Sequence, residues 1–301
     1  MSQRTPDTTL VNTFTPTIHN HPTPSIDPSL NPLPNPLTIL IIGASRGIGA
    51  SIAYAYAQAG AAHLVLAARS SSTKELATVQ QKIQLLNPTT KTTCLSVDIT
   101  SSSSVACLVQ TIQQSSINLD ILILNSGYSG PVVTDLTLGL PTDFSDVFAV
   151  NVQGTYLIAH HFIPLLKAQS SGAKTFIVVG SLAACITSGH IANTAYCMSK
   201  MAQTRLVEYI AEQHGKEGVL SVAVHPGAVL TEMADATTPE SFRPYLKDDV
   251  GLCGAFCVWL TREKRMGFNG RLVSAKWDVR ELEERMETIV EGDLLKFGLR
   301  V

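Results

Sequence analysis

The stretch TAYCMSK places Tyr196 and Lys200 four residues apart, a spacing that could do chemistry. Four residues are about one helical turn, so the two side chains would be neighbours on a helix. An ammonium at about 4 Å contributes up to roughly 4 kcal/mol at an effective dielectric near 20, enough to bring a phenol pKa from about 10 toward 7. The pair could therefore protonate the alkoxide that forms when hydride reaches a ketone. The Tyr-x-x-x-Lys spacing also arises by chance in many sequences. The alternative is therefore that the two residues lie on one helix face and have no catalytic role.

Apolar runs alternate with helical segments from Leu37 onward, beginning with LTILIIG, HLVLAA, TTCLSV, LDILILN and KTFIVVG. This alternation predicts an α/β fold: a Rossmann-type doubly wound, mostly parallel seven-stranded sheet with helices on both faces. We expect one domain over residues 37–301, with helices at about 142–166 and 194–214, a substrate lid at about 228–250 and a C-terminal helix at about 279–296. Ligands of such sheets bind at the carboxyl ends of the strands, so chemistry is expected directly after each run.

The bulk composition excludes several classes of protein. The 301 residues carry a net charge of −2, which gives no electrostatic footprint for nucleic acid or an anionic membrane. The six cysteines have no C-x-x-C spacing, which indicates reduced thiols, no metal site and a cytoplasmic location. The charge-free stretch 47–68 is interrupted by Gly60 and His63, so we expect no membrane span.

The first 36 residues contain eight of the fifteen prolines and are rich in Thr and Asn. Proline removes a backbone donor and does not fit helix interiors, so this composition predicts a disordered N-terminal extension over residues 1–36. The segment has no apolar core and one basic residue, Arg4, which argues against a secretory signal or an organellar presequence.

The glycines of GASRGIG (Gly43, Gly47 and Gly49) follow the first predicted strand and open a helix. Such glycines let the backbone approach a pyrophosphate that rests on the helix N-terminus. Twenty residues beyond Gly49, where an Asp or Glu would bind the ribose of NAD, the chain has Arg69. With Arg46 in the loop, two guanidiniums and no carboxylate favour NADP(H). The alternative for Arg69 is a solvated surface charge.

These motifs together resemble those of the single-domain short-chain dehydrogenase/reductase family, from about Leu37 to Val273. Further residues match the family pattern: Asn151 in FAVNVQGTY, Ser181 in IVVGSLAA, and the Pro-Gly and threonine of HPGAVLTEM. The ending RLVSAKWDVRELEERM resembles fungal members, many of them in secondary metabolism. Each residue has a simpler alternative: Ser181 could merely end a strand, and Asn151 could be a buried amide bonded to backbone.

The resemblance implies a role for each matched residue. Ser181 would hold the substrate oxygen, Lys200 the nicotinamide ribose, and Asn151 a water that relays protons to Lys200. The expected catalytic residues are therefore Asn151, Ser181, Tyr196 and Lys200. The expected cofactor-binding residues are Gly43, Ser45, Arg46, Gly47, Ile48, Gly49, Arg69, Asp98, Ile99, Asn125, Gly127, Tyr196, Lys200, Pro226, Gly227, Val229 and Thr231.

Three departures from the family pattern are visible. Ile42 replaces the usual threonine before the first glycine, LNSG replaces Asn-Asn-Ala-Gly, and the segment from Ser181 to Tyr196 is longer than usual. We expect the last of these to reshape the substrate wall. His225 is interpreted as a strand-end residue near the cofactor. His160 and His161 are interpreted as lying on a helix surface or interface, not on a metal.

The predicted function is an NADP(H)-dependent transfer of hydride between nicotinamide and a ketone or secondary alcohol of a small, apolar substrate. Two alternatives are a catalytically weak NADP(H)-binding regulatory protein and a nucleotide-sugar epimerase or dehydratase. The second fits poorly, since those enzymes have another glycine spacing and a larger C-terminal region. The family resemblance implies pairing through the helix of Tyr196 and Lys200. Ala195 and Ala202 on that helix would allow close packing, so we expect a homodimer or homotetramer.

Overall fold

A computed structural model describes residues 13–169, 172–189 and 191–299. The described residues form a seven-stranded sheet in the order β3-β2-β1-β4-β5-β6-β7, with every pair of neighbours parallel. The strands are β1 (Thr38–Ile42), β2 (His63–Ala68), β3 (Lys91–Ser96), β4 (Ile121–Leu124), β5 (Thr175–Val179), β6 (Leu220–His225) and β7 (Arg271–Ser274). The strand order reverses beside β1, which opens a crevice at the carboxyl ends of β1 and β4.

Helices connect the strands and cover both faces of the sheet, which confirms the predicted fold. They are α1 (Gly47–Gln58), α2 (Thr73–Leu86), α3 (Ser102–Gln114), α4 (Pro141–Phe148), α5 (Gly154–Lys167), α6 (Thr194–His214), α7 (Glu232–Thr237), α8 (Leu252–Arg262), α9 (Val279–Glu284) and α10 (Met286–Glu291). Among the residues that the structure describes, no helix is long and apolar enough to cross a membrane.

Alternation along the strands divides the interior into two layers. Ile39 and Ile41 of β1 point into a core built with α1, α2 and α8, whereas Leu40 and Ile42 point into a core built with α3, α5 and α6. All four side chains have no solvent exposure. A strand buried on both faces must be apolar throughout, which explains the continuous run LTILIIG.

Residues 13–36 differ from the predicted disordered extension; residues 1–12 lie outside the described part of the chain. Ile26 is 2% exposed and belongs to the core beside α1 and α8, and Leu33 packs against the same core. The ring of Phe14 lies 5.1 Å from that of Trp277, and Ile18 forms an antiparallel bridge with Trp277. The prolines do prevent this segment from forming a helix. Its backbone of turns and extended residues is nevertheless ordered, and its apolar side chains pack against the C-terminal region.

Two predicted helices are interrupted in the structure. The helix expected at 142–166 consists of α4 and α5 separated by a π-helical segment at Ala149–Gln153. The C-terminal helix expected at about 279–296 is two short helices, α9 and α10, that meet at Arg285. The guanidinium of Arg285 donates to the Phe14 carbonyl at 2.8 Å, so this break lies beside the N-terminal segment.

Candidate active site

The glycine loop after β1 is shaped for a close approach of backbone to a ligand. Gly43 has a φ of +88° and Gly47 a φ of +54°, a region that favours glycine. A Cβ on Gly49 would lie 2.0 Å from the Gly43 carbonyl oxygen, so any side chain there would break the loop. Asn125, at the end of β4, fixes the loop by donating to that same carbonyl at 2.9 Å.

The loop leads into the N-terminus of α1, which is open to the crevice. Arg46 is the N-cap residue, and no side chain caps the first turn or adds an acidic group to it. The free N–H groups and the positive end of the helix dipole suit a phosphate. These features fit the pyrophosphate of a dinucleotide, with Ser45 and Ile48 in the wall beside it.

The ribose end of the crevice carries two arginines, one of them in an ion pair. Arg69 follows β2 directly and lines the crevice with Asp98 and Ile99, which follow β3. Hydrogen bonds from the Thr100 side chain and backbone, with a smaller contribution from Arg69, hold the pKa of Asp98 below its ordinary value. The Nε of Arg46 lies 3.1 Å from the carboxylate of Glu232 in α7, a carboxylate that we did not anticipate at this arginine.

Ser181, Tyr196 and Lys200 meet where β5 ends and α6 begins. The Ser181 hydroxyl accepts from the Ala183 N–H at 3.1 Å, which starts a 3-10 turn, and it also hydrogen-bonds to the Tyr196 phenol. Ser181 therefore both caps the turn that follows β5 and interacts with the phenol. The Lys200 Nζ lies 5.7 Å from the centre of the Tyr196 ring, one helical turn away as predicted.

The protein's own groups do not acidify Tyr196, so the acidification expected from Lys200 stays a prediction for the site with an oxidised nicotinamide beside the phenol. Burial raises the pKa of Tyr196 to about 12, and the hydrogen bond with Ser181 opposes this rise only in part. Burial also lowers the pKa of Lys200 to about 8. The Lys200 ammonium donates to the Val179 carbonyl at 3.1 Å and to Gln203 Oε1 at 2.9 Å.

Asn151 lies in the π-helical segment, where both its side chain and its backbone carbonyl hydrogen-bond to protein groups. Its Oδ1 accepts from the Tyr128 N–H at 2.9 Å, and its Nδ2 donates to the Tyr128 carbonyl at 2.8 Å and the Ser199 hydroxyl at 2.9 Å. Its backbone carbonyl accepts from the side chains of Thr155 and Gln203. With an exposed fraction of 0%, Asn151 is a buried amide that ties the loop after β4 to α6.

The segment after β6 completes the crevice. Gly227 has a φ of +97°, and a Cβ there would lie 2.8 Å from Asp248. Pro226, Gly227, Val229 and Thr231 all line the crevice. The Thr231 hydroxyl accepts from the Ala234 N–H at 3.2 Å and so caps α7, which leaves its own proton free to donate to a ligand.

His225 ends β6 and lies in the crevice wall, where we expected it. Its Nδ1 accepts from the Leu182 N–H at 3.3 Å, which assigns the proton of the neutral ring to Nε2. Burial, and to a lesser extent Lys276, lower the pKa of His225 to about 3, so the ring is neutral at physiological pH. His160 stacks against Tyr156 on the exposed face of α5, and the described residues contain no cluster of three metal-ligating side chains.

The crevice is continuous from the glycine loop to the predicted lid, with a volume of about 1380 Å³. That volume exceeds the roughly 300–1,000 Å³ of ordinary small-molecule pockets, so it suits a dinucleotide together with a substrate. The lid region holds α7 and a 3-10 turn at Arg243–Tyr245. Its apolar side chains line the far end of the crevice: Met233, Phe242 and Tyr245.

The structure brings nearly every predicted site residue to this one crevice. Seventeen of them line it: Gly43, Ser45, Arg46, Gly47, Ile48, Arg69, Asp98, Ile99, Asn125, Gly127, Ser181, Tyr196, Lys200, Pro226, Gly227, Val229 and Thr231. Gly49 and Asn151 lie behind it. Two residues that we did not predict also shape it: Asn193, whose Nδ2 donates to the Ser129 and Pro131 carbonyls, and Gln203. Gln203 could have been found from the sequence, because it is a polar residue on the face of the predicted helix that points toward the core.

Comparisons with known proteins agree with this geometry. The model of the short chain dehydrogenase family matches residues 37–241. The chain is 36% identical over 297 residues to the short chain dehydrogenase pgmD of Aspergillus terreus, covering 96% of this chain and 94% of that protein. It is 37% identical over 262 residues to the short chain dehydrogenase mpl6 of Monascus purpureus, covering 87% and 88%.

A solved structure gives the same fold. The complex of Pseudomonas aeruginosa RhlG with NADP superposes with a TM-score of 0.70 at 22% identity, covering 79% of this chain and 94% of that one. At this identity the likeness supports the architecture alone. The expectation of fungal relatives is confirmed by the two fungal dehydrogenases.

Proposed function

Because this chain belongs to the short-chain dehydrogenase family, we propose that it is an NADP(H)-dependent oxidoreductase acting on a ketone or secondary alcohol of a small, apolar substrate. The observation that carries the proposal is that the Tyr196 phenol and the Ser181 hydroxyl interact in the wall of the same crevice that the glycine loop lines. Its place in fungal secondary metabolism and a cytoplasmic location stay predictions.

The cofactor would be held at both ends by residues of this chain. The glycine loop and the start of α1 would take the pyrophosphate, and Arg69 the 2′-phosphate of the adenosine ribose. Thr231 and the backbone at Val229 would orient the nicotinamide carboxamide. When bound, the reduced nicotinamide supplies the hydride. The family uses nicotinamide dinucleotides, and the preference for the phosphorylated form rests on Arg69 and the absence of an acid at that position.

The chain's own residues manage the proton and the oxygen. With a pKa of about 12, Tyr196 is protonated at neutral pH, which is the state that donates to an alkoxide during reduction. The Ser181 hydroxyl holds the same oxygen through a hydrogen bond that strengthens as negative charge develops. Lys200, with a pKa of about 8, keeps its charge at neutral pH and stabilises the phenolate that forms.

The substrate is expected to be apolar because of the side chains at the far end of the crevice. Five apolar residues line the crevice here: Leu182, Ile186, Ile191, Met233 and Phe242. His225 also lines the crevice, and the Nε2–H of its neutral ring can donate one hydrogen bond. A carbonyl compound with a hydrophobic body and one further acceptor would fit both features.

Purified protein incubated with NADPH or NADH and a panel of aliphatic, aromatic and polycyclic ketones tests the proposal. We expect NADPH consumption with apolar ketones and much slower consumption with NADH. Binding of NADPH without turnover of any carbonyl would favour the catalytically weak binding protein. Failure to bind either dinucleotide would contradict the proposal altogether.

We also propose a homodimer or homotetramer. Exposed apolar side chains lie along one side of α6 and the neighbouring α5: Tyr156, Met198, Met201 and Tyr209, with exposed fractions of 53%, 44%, 43% and 57%. Surface hydrophobic residues that cluster in this way mark protein interfaces.

A further inference from the structure

Gln203 is a buried amide placed directly behind Lys200. It lies three residues further along α6 and is 1% exposed. Its Oε1 accepts from the Lys200 ammonium at 2.9 Å. Its Nε2 donates to the Asn151 backbone carbonyl at 3.2 Å and to the Thr155 hydroxyl at 2.8 Å. Because an ammonium only donates and a carbonyl only accepts, these partners fix which end of the amide faces Lys200.

The π-helical segment supplies the other half of this contact. π-helical turns are rare and occur often at functional sites. Asn151 lies in the middle of this segment, and its carbonyl accepts from the Thr155 hydroxyl at 2.7 Å as well as from Gln203. Two protein donors therefore occupy that carbonyl oxygen of Asn151, the residue that the family resemblance implies to hold a water.

A glutamine in this position is costly unless it is fully paired. The inward face of α6 packs on the core through Val207 and Ile210, so an apolar side chain would be the ordinary choice at 203. Burying an unpaired amide is unfavourable, and burying an unpaired ammonium more so. Gln203 offsets both costs at once, because its oxygen pairs with the ammonium and its nitrogen with the neighbouring segment.

We propose that Gln203 is a positioning residue that anchors the Lys200 ammonium to the Asn151 carbonyl, so that a side chain of the protein, and not a water, bridges the two. Lys200 would then exchange protons only with the crevice side, where Tyr196 lies and where the cofactor would bind. The inference rests on the proposed function for its catalytic meaning, but the anchoring itself can be measured without turnover.

The surroundings of Lys200 make its charge sensitive to this one contact. Val179 approaches from β5 with a carbonyl, Gly127 from the loop after β4 and Asn151 from the π-helical segment, and none of these residues is charged. Tyr196, on the same helix, is the titratable neighbour. Burial alone lowers the pKa of Lys200, so a charge introduced or an acceptor removed at residue 203 must change that pKa directly.

Two variants test the anchor in the full-length protein: Gln203→Glu adds a carboxylate, and Gln203→Met removes the acceptor with little change of volume. The titration of the Lys200 side chain is followed by NMR on lysine labelled at its ε carbon, with Lys200→Met to assign the signal. We expect Gln203→Glu to raise the Lys200 pKa by about one unit or more and Gln203→Met to lower it. Gln213→Glu and Gln213→Met are the matched controls, since Gln213 is exposed on the same helix, and they should leave the titration unchanged.

Either variant is sufficient if the other does not fold. A Lys200 pKa equal to that of the parent in a folded Gln203 variant would overturn the anchor. With a turned-over ketone, the alkaline limb of kcat/KM should move upward in Gln203→Glu and downward in Gln203→Met, while the Kd for NADPH changes less than threefold. If the parent reduces no carbonyl, the proposed function fails and the NMR titration still decides the role of Gln203.

Discussion

Arg69, which directly follows β2, is the arginine at the ribose end of the crevice that we expect to bind the 2′-phosphate. We expect Arg69→Gln to weaken NADPH binding by about 10- to 150-fold, since a hydrogen bond to a charged group contributes about 1.5–3 kcal/mol. NADH binding should change little, because NADH lacks the 2′-phosphate. Fluorescence titration of both dinucleotides measures this.

The matched control for Arg69 is Arg280→Gln, which neutralises an exposed arginine on α9 that does not line the crevice. It should leave both affinities unchanged. An equal loss for NADPH and NADH in Arg69→Gln would show that Arg69 acts on the loop and not on the phosphate.

His225 predicts a specific acid sensitivity. Its pKa is about 3 in the folded protein and about 6.5 in an unfolded chain, so the unfolded state binds more protons between these values. The neutral ring therefore makes its full contribution to the free energy of unfolding above about pH 6.5, and this contribution is lost as the pH falls toward 3. The substitution His225→Asn keeps an acceptor for the Leu182 N–H but removes the titratable ring.

Urea unfolding at pH 7 and pH 5 checks the His225 prediction. The parent should lose up to about 2 kcal/mol more free energy of unfolding than His225→Asn between these two pH values. If both proteins lost the same free energy of unfolding, the prediction would be wrong, because His225 would then be solvated and protonated at pH 5 in the folded protein.

At the scale of elements, the sequence predicted the sheet and α6 well because their signals are local. Glycine ends the first strand, and Ala-rich or amphipathic periodicity marks each helix, so the expected 194–214 matches α6 as observed. The π-helical segment and the break at Arg285 were not predictable, since neither leaves a mark in hydrophobic periodicity. The packing of residues 13–36 was missed because composition records prolines but not which distant surface the apolar residues can reach.

The N-terminal segment can be tested through its buried isoleucine. We expect Ile26→Ala to lower the free energy of unfolding by about 2–5 kcal/mol, the usual cost of such a truncation in a core. Leu30→Ala, which changes a side chain that is 64% exposed in the same segment, should cost less than about 0.5 kcal/mol. Chemical denaturation that finds both variants as stable as the parent would support a disordered segment after all.

At the scale of the whole molecule, the site is an assembly of strand ends, and that is why much of it was predictable. Parallel strands bring their carboxyl ends to one edge, so Ser181, Asn125 and Gly227 had to converge. Side-chain directions were not predictable. Whether Lys200 turns toward Tyr196 or toward Gln203, and whether Arg46 pairs with Glu232, depends on contacts between segments far apart in sequence.

The exposed apolar face of α6 predicts how copies of the chain associate. We expect Met201→Glu to shift the parent oligomer to monomer at micromolar concentration, because an unpaired charge would be buried at the interface. Val290→Glu, a similar change at a 48% exposed site on α10, should leave the mass unchanged. Light scattering that finds a monomeric parent would contradict the interface.

The most direct measurement is single-turnover hydride transfer from NADPH to a reducible ketone in the parent and in Tyr196→Phe. The variant lacks only the phenolic oxygen, so NADPH affinity should stay within a few-fold of the parent. The account predicts that the rate of transfer falls by about 10²–10⁴-fold, the usual contribution of a positioned acid. A variant that transfers hydride as fast as the parent would show that Tyr196 does not supply the proton.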